Sequence, residues 1–156
     1  MKIFKSLSLI VLAAILITSC AKEYSLEHMR AATGSWQFSN GNLNYSGFID
    51  SVYQTKGIGS HRLSISGKSY DGSHLFALNL YGDTFPPGAY KASLFQCTFS
   101  YSITGKTIYQ ASQLNGEFIV NLNTIDSTNI SGTFSGTAVD SSNNLIQISS
   151  GKFVTE

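Results

Sequence analysis

Residues 117–153 read EFIVNLNTIDSTNISGTFSGTAVDSSNNLIQISSGKF, and their alternation decides the fold class. Over 117–125, Phe118, Val120 and Leu122 alternate with Ile119, Asn121 and Asn123. Over 129–139, Ile130, Phe134 and Ala138 share one face with Gly132 and Gly136, and Ser131, Thr133, Ser135 and Thr137 take the other. A period of two is the period of a strand. A turn at Asp126-Ser127-Thr128 pairs Ile125 with Asn129, Leu122 with Gly132, Val120 with Phe134 and Phe118 with Gly136. Most apolar residues then land on one face, large side chains often opposite small ones; a one-residue slip would reverse the faces. A loop over 140–144 pairs Val139 with Leu145 and puts Ile146 and Ile148 on the apolar face, but Phe153 on the other. One extra residue near Ser150-Gly151 restores Phe153, so the sequence predicts a β-bulge there.

The same alternation extends toward the N-terminus. Residues 61–68 and 73–81 form a hairpin in which the loop Ser69-Tyr70-Asp71-Gly72 pairs Lys68 with Ser73, Ile65 with Phe76 and Leu63 with Leu78. Trp36 and Phe38 begin an earlier strand, Tyr45–Tyr53 and Phe95–Ile103 give two more, and 88–94 and 107–112 are shorter candidates. About nine or ten short strands with hairpin-length links make an all-β antiparallel domain over 34–156. Such a meander protects its edges by stacking two sheets or by closing. The sequence is read as a β-sandwich, with a lipocalin-like up-and-down barrel as the alternative. Residues 20–33 read as a tether or a short helix capped by Ser25 and ended by Gly34.

The first nineteen residues read as an export signal. Lys2 and Lys5 precede an eleven-residue, mostly apolar run, Leu7–Ile17, whereas a membrane span needs about 20 residues. Ile17-Thr18-Ser19-Cys20 resembles the bacterial lipobox, in which the Cys thiol receives a diacylglycerol and the chain is cut just before it. The reading implies lipidation of Cys20, including palmitate, and a mature chain of 137 residues from Cys20 to Glu156. Loss of Lys2 and Lys5 leaves eight basic side chains against nine acidic ones, a net of −1. Several acyl chains at about 0.8 kcal/mol per buried CH₂ make a stable anchor.

Composition narrows the function classes. Charged residues are 12% of the chain, and 24 Ser, 12 Thr and 10 Asn carry the surface instead. The near-zero net charge gives no basic footprint, which argues against nucleic acid as a partner. Two Cys, one consumed by lipid, leave Cys97 without an intramolecular partner and exclude a disulfide scaffold.

Three pieces together carry a resemblance. They are the lipobox with Ala21-Lys22-Glu23-Tyr24-Ser25, the central Asp71-Gly72 and Gly88-Ala89-Tyr90, and the closing 130–138 and 148–153. The chain resembles small exported lipoproteins of Bacteroidota with a β-domain of unknown function. The resemblance implies a lipid-anchored β-domain in the cell envelope, at the outer membrane, and brings no catalytic residues. Ala21 after the Cys does not oppose onward transport, by analogy with enteric sorting. Gly34-Ser35-Trp36 is also similar to the G-x-W opening of lipocalins, whose Trp closes one end of a ligand barrel.

Catalytic and metal constellations are hard to assemble from this sequence. No Gly-x-Ser-x-Gly elbow occurs, and Cys97 shares parity with Phe95, Phe99 and Tyr101, a core-facing set in which a thiol behaves as a small hydrophobe. In the proposed hairpin, His74 pairs with Gly67, six residues from His61, roughly 20 Å away and too far to share an ion. Most Asp residues fall where turns need them. No catalytic residue, metal ligand or cofactor is assigned. Tyr81, Phe85 and Tyr90 flank Gly82-Asp83-Thr84 and Pro86-Pro87-Gly88, a proline-stiffened aromatic loop. Such a loop loses little entropy on binding, and Tyr combines apolar area with a hydroxyl, so Tyr81, Phe85, Tyr90 and Asp83 are the candidate ligand residues. The competing use of the same rings is to plug one end of the domain. The expectation is a non-catalytic binding module for a glycan, peptide or other small ligand. A structural or accessory envelope lipoprotein, with an envelope protein as partner, is the alternative, and a hydrolase the second alternative.

Overall fold

The computed structural model describes residues 28–31, 33–56, 61–115, 117–126 and 129–155. The signal, Cys20 and most of the tether lie outside these residues. Eleven antiparallel strands follow in order: β1 (His28–Ala31), β2 (Gly34–Asn40), β3 (Leu43–Lys56), β4 (His61–Ser69), β5 (His74–Gly82), β6 (Gly88–Lys91), β7 (Cys97–Ile103), β8 (Lys106–Ala111), β9 (Phe118–Ile125), β10 (Ile130–Asp140) and β11 (Leu145–Thr155). A 3₁₀ turn, Ala92–Leu94, links β6 to β7, and another, Gln113–Asn115, follows β8.

The strands form one sheet in the order β11-β2-β3-β4-β5-β7-β8-β10, and β10 pairs again with β11. Eight strands therefore close on themselves as a barrel, to which β1, β6 and β9 are added. The all-β antiparallel expectation holds, and its sandwich form gives way to the barrel. Closure rests on two long-range pairings: β11 with β2 (Phe153 with Trp36, Ile148 with Asn40) and β10 with β8 (Val139 with Gln110, Asp140 with Tyr109). Above that short contact with β8, β9 takes the β10 edge and β6 pairs with β9.

β1 falls within the stretch 21–33, and residues 28–31 are extended rather than helical. The physical reason is an available edge. β2 pairs with β3 only over Leu43–Phe48, and β1 takes the next length of β3, His28 against Gln54 through Ala31 against Ser51. A helix of about eight residues would be marginal by itself, so the sheet edge wins.

The closing meander keeps its expected register at Leu122–Gly132, Val120–Phe134 and Phe118–Gly136. Near the turn, Ile125 pairs with Ile130 rather than Asn129, and a bulge at Ser131/Gly132 absorbs the difference. Val139 pairs with Leu145, and the pairing steps from Gly136–Ile148 to Phe134–Gly151, so Ser149 and Ser150 oppose Ser135 alone. This is the bulge that the misplaced Phe153 demands, and Phe153 is buried opposite Gly132.

The β4–β5 hairpin differs in register. Ile65 pairs with Leu78, Leu63 with Leu80 and Lys68 with Leu75, two residues beyond the expected pairs. Asp71 widens the turn. Its carboxylate accepts from the Ser69 hydroxyl, from the Ser73 amide at 3.0 Å and from the Ser73 hydroxyl at 2.8 Å, while Ser69 Oγ accepts from the His74 amide at 3.0 Å. A slip of two preserves the face of every side chain, so the core residues are unchanged.

Aromatic rings fill the barrel. Trp36 stacks on Phe76 at 4.8 Å, Phe38 meets Phe99 edge-on at 5.4 Å, and Phe134 lies 5.6 Å from Phe99 and 6.1 Å from Phe118. An eight-stranded barrel has an interior just wide enough for side chains to fill. Glycines make the room. A Cβ on Gly67 would stand 2.8 Å from Trp36 Nε1, and one on Gly132 2.5 Å from Phe153 Cζ. Trp36 thus occupies the lumen itself, a packing role rather than a lid over a ligand cavity.

Candidate functional site

The barrel has two ends of different character. One carries the tight turns after β2, β4, β7 and β10. The other carries the start of β1, the end of β5 with its loop to β6, the start of β7 and the end of β8.

At the tight-turn end, Asp71, Ser73, His74 and Tyr101 come together. Ser73 Oγ lies 2.8 Å from Asp71 Oδ2 and 2.7 Å from His74 Nδ1, and the His74 ring stacks on Tyr101 at 5.1 Å. A nucleophilic serine needs imidazole to take its proton and a carboxylate to orient that imidazole. Here the single hydroxyl proton goes to Asp71, so Ser73 accepts from His74 Nδ1–H. The order of groups is that of a hydrogen-bonded turn. The Ser69 hydroxyl, followed by the Ser73 amide and hydroxyl, stabilises the Asp71 carboxylate and lowers its pKa to about 2. Beside it, Tyr45 and Tyr109 share a hydrogen bond of 2.8 Å, and burial raises the Tyr45 pKa above its ordinary value. His61 begins β4, at the other end of the same hairpin from His74.

At the loop end, the proline-stiffened segment divides its residues. Tyr81, Asp83 and Tyr90 line one cleft of about 360 Å³ together with Thr84, Pro86 and Gln96. Asp83 is exposed and Tyr81 half-buried. Tyr90 is only 7% exposed and forms the wall; its hydroxyl donates to the Pro86 carbonyl at 2.7 Å, which ties the loop to β6. Phe85 is a correction. It is 6% exposed, packs 6.5 Å from the Tyr90 ring and belongs to the core, so it is not available to a ligand. A residue between a loop and a barrel mouth gains about 1.5–3 kcal/mol by turning inward, and Phe85 takes that gain.

A second cleft, of about 520 Å³, lies beside the first. Tyr81, Phe95, Cys97, Thr98, Ser112, Gln113 and Leu114 line it. Sequence parity puts Phe95 with the core set, and the structure reverses this. Cys97, Phe99 and Tyr101 are buried, but Phe95 is 68% exposed. β7 begins only at Cys97; Phe95 closes the 3₁₀ turn with φ 58°, its amide donating to the Ala92 carbonyl at 2.9 Å. A left-handed conformation at a bulky residue costs roughly 1–2 kcal/mol, and glycine would adopt it freely. Leu114, 89% exposed, lines the same cleft, and Leu94, 60% exposed, directly precedes Phe95 in the 3₁₀ turn. No pattern in the sequence marks these three residues, because they sit in and beside two separate 3₁₀ turns, Ala92–Leu94 before β7 and Gln113–Asn115 after β8, that long-range strand pairing brings to one place. Cys97 contributes only its edge. Its thiol donates to the Tyr90 carbonyl at 3.2 Å, and burial pushes its pKa up to about 12.

The hydroxyl row of β10 lies on the outer face. Ser131 and Thr133 join Gln37, Asn123 and Lys152 around a shallow cleft of about 340 Å³ across β10, β11 and β2. Among the described residues, no group of three His, Cys, Asp or Glu side chains is placed to hold a metal ion. No family model matches the chain, and no match is found to a curated protein or to a solved structure.

Proposed function

We propose that the chain is an exported lipoprotein, held at the outer membrane by acylated Cys20, whose barrel is a non-catalytic binding module for a glycan or peptide. The n-region, the eleven-residue apolar run and Ile17-Thr18-Ser19-Cys20 support the anchor. The cleft shared by Tyr81, Asp83 and Tyr90 carries the binding reading. The Tyr81 ring offers a stacking face, Asp83 and Gln96 offer polar contacts, and the Pro86 tie to Tyr90 holds the wall in place before a ligand arrives. A wall already fixed costs little ordering on binding.

Two measurements test this reading. Palmitate labelling in a bacterial host should mark wild type and spare Cys20→Ser; label absent from both overturns the anchor. Detergent-solubilised wild type, applied to glycan and peptide arrays, should bind a ligand that Tyr81→Ala loses by roughly 30-fold, the size of a central aromatic contact. Asp83→Asn should weaken it less. Tyr81 is half-buried and Asp83 exposed, so both variants should keep the wild-type denaturation midpoint within about 1 kcal/mol. Undiminished binding by both, or no ligand for wild type, overturns the site and favours an accessory envelope role.

A further inference from the structure

The fold has no use for the Phe95 ring. Its backbone is held at φ 58°, and the side chain stays 68% in solvent, so burial does not offset the strain. Leu94 and Leu114 are similarly out in solvent beside it, and the residues lining the cleft that Phe95 and Leu114 border carry no charged side chain. Strain retained at an exposed apolar residue points to a contact made with something outside the chain.

The topology indicates what that contact is. His28 pairs with Gln54, Gln54 with Leu63, Leu63 with Leu80, and Leu80 with Cys97. One run of paired residues thus joins the beginning of β1 to the foot of Phe95, and the chain before β1 meets the barrel at the end that carries the rim. Seven residues lie between Cys20 and His28, eight Cα–Cα steps with a reach of at most about 28 Å when fully extended. An acyl chain on Cys20 therefore holds this end of the barrel within tether reach of the bilayer. A mature net charge of −1 supplies no overall attraction to anionic lipid, so the exposed apolar side chains of this end would carry the contact.

We propose that Leu94, Phe95 and Leu114 are a membrane-docking rim, seated in the interfacial layer of the bilayer that carries the Cys20 anchor. The proposal rests on the anchoring reading above. Anchor and rim act as two membrane signals on one end of the barrel, the combination that turns reversible attachment into a stable one. The rim also fixes orientation, and places the neighbouring Tyr81–Asp83 cleft at headgroup level.

The test uses the full lipoprotein reconstituted into phosphatidylethanolamine–phosphatidylglycerol vesicles. Phe95→Trp reports on the rim, and Leu43→Trp, at an exposed position beside a tight turn, reports on the far end. Trp36 is buried and supplies a constant background measured in wild type. Phe95→Trp emission should shift to the blue on reconstitution and be quenched by lipids brominated on their acyl chains, with Leu43→Trp unaffected. Phe95→Gly should keep or raise the denaturation midpoint, which separates a docking residue from a structural one. Palmitate-labelled protein whose Phe95→Trp is unquenched overturns the rim and leaves the anchor standing. Equal quenching at both positions overturns the orientation. A blue shift without lipid that grows with protein concentration identifies a second copy as the occupant and overturns the bilayer. Protein that neither labels nor joins vesicles overturns anchor and rim together.

Discussion

The Phe134 ring lies over Gly151 of the next strand, in the space that a side chain there would need. A Cβ on Gly151 would stand 2.5 Å from Phe134 Cδ2 and 2.7 Å from Cε2. The pair sits beside the Ser149–Ser150 bulge, and the contact depends on that bulge, because without it Gly151 and Phe153 would move to the other face.

Phe134→Ala should therefore cost about 3–5 kcal/mol, the range for a buried aromatic. Gly151→Val should also destabilise, through overpacking of about 1–3 kcal/mol. Ser135→Thr, on the outer face, should stay within about 0.5 kcal/mol. Urea denaturation midpoints measure all three. Equal midpoints for Phe134→Ala and wild type would contradict the register.

The Cys97 thiol should resist alkylation. Burial raises its pKa to about 12, and the reactive species is the thiolate. Iodoacetamide at pH 8 should modify the native protein only at the rate of opening, and the urea-unfolded protein quickly. Rapid labelling of native protein would place the thiol in solvent.

Asp71 makes the hairpin turn sensitive to acid. Its folded pKa of about 2 lies below the ordinary 3.8, so the carboxylate contributes stability above about pH 4 that is lost as pH falls toward 2. Asp71→Asn should lower the denaturation midpoint at pH 6. The gap between variant and wild type should close between pH 4 and pH 2. A gap independent of pH would assign the effect to shape rather than charge.

Tyr45 and Tyr101, at the tight-turn end, should titrate late. Burial, then the nearby Asp71 and Tyr109, raises Tyr101 to about 12, and burial with the Tyr109 hydrogen bond raises Tyr45 further. Ultraviolet titration should show both phenols still protonated at pH 11. Because the folded pKa is the higher one, the stability these groups carry is complete below pH 10 and falls as pH rises toward 12. Tyr45→Phe should remove one late-titrating phenol and leave Tyr101.

Much of the fold was legible because side-chain alternation is local. The faces of β9, β10 and β11 follow from residues two apart, and the bulge follows from the one aromatic that fell out of step, Phe153. The β4–β5 hairpin shows the limit of that argument. Parity predicts which residues are buried, but a shift of two is invisible to parity, and only the Asp71 hydrogen bonds select it. The candidate loop shows another limit. Tyr81 and Asp83 reach a cleft as their loop position suggests, while Phe85 and Phe95 exchange expected roles, one turning into the core and the other out of it. Those two outcomes depend on β6 pairing with β9 and β7 with β5, partners that no short window of sequence contains.

The sequence by itself determined the antiparallel all-β class, the apolar face of most strands and the need for a bulge before Gly151, because each follows from a two-residue period and the room a side chain requires. Only the tertiary structure decided that the sheet closes, with Phe153 against Trp36 and Asp140 against Tyr109. It also decided that β1 is a strand and that Leu94, Phe95 and Leu114 stand in solvent. The physical reason is range. Closure and exposure are set by hydrogen bonds and packing between residues far apart in the chain, and those contacts exist only once the strands between them have folded.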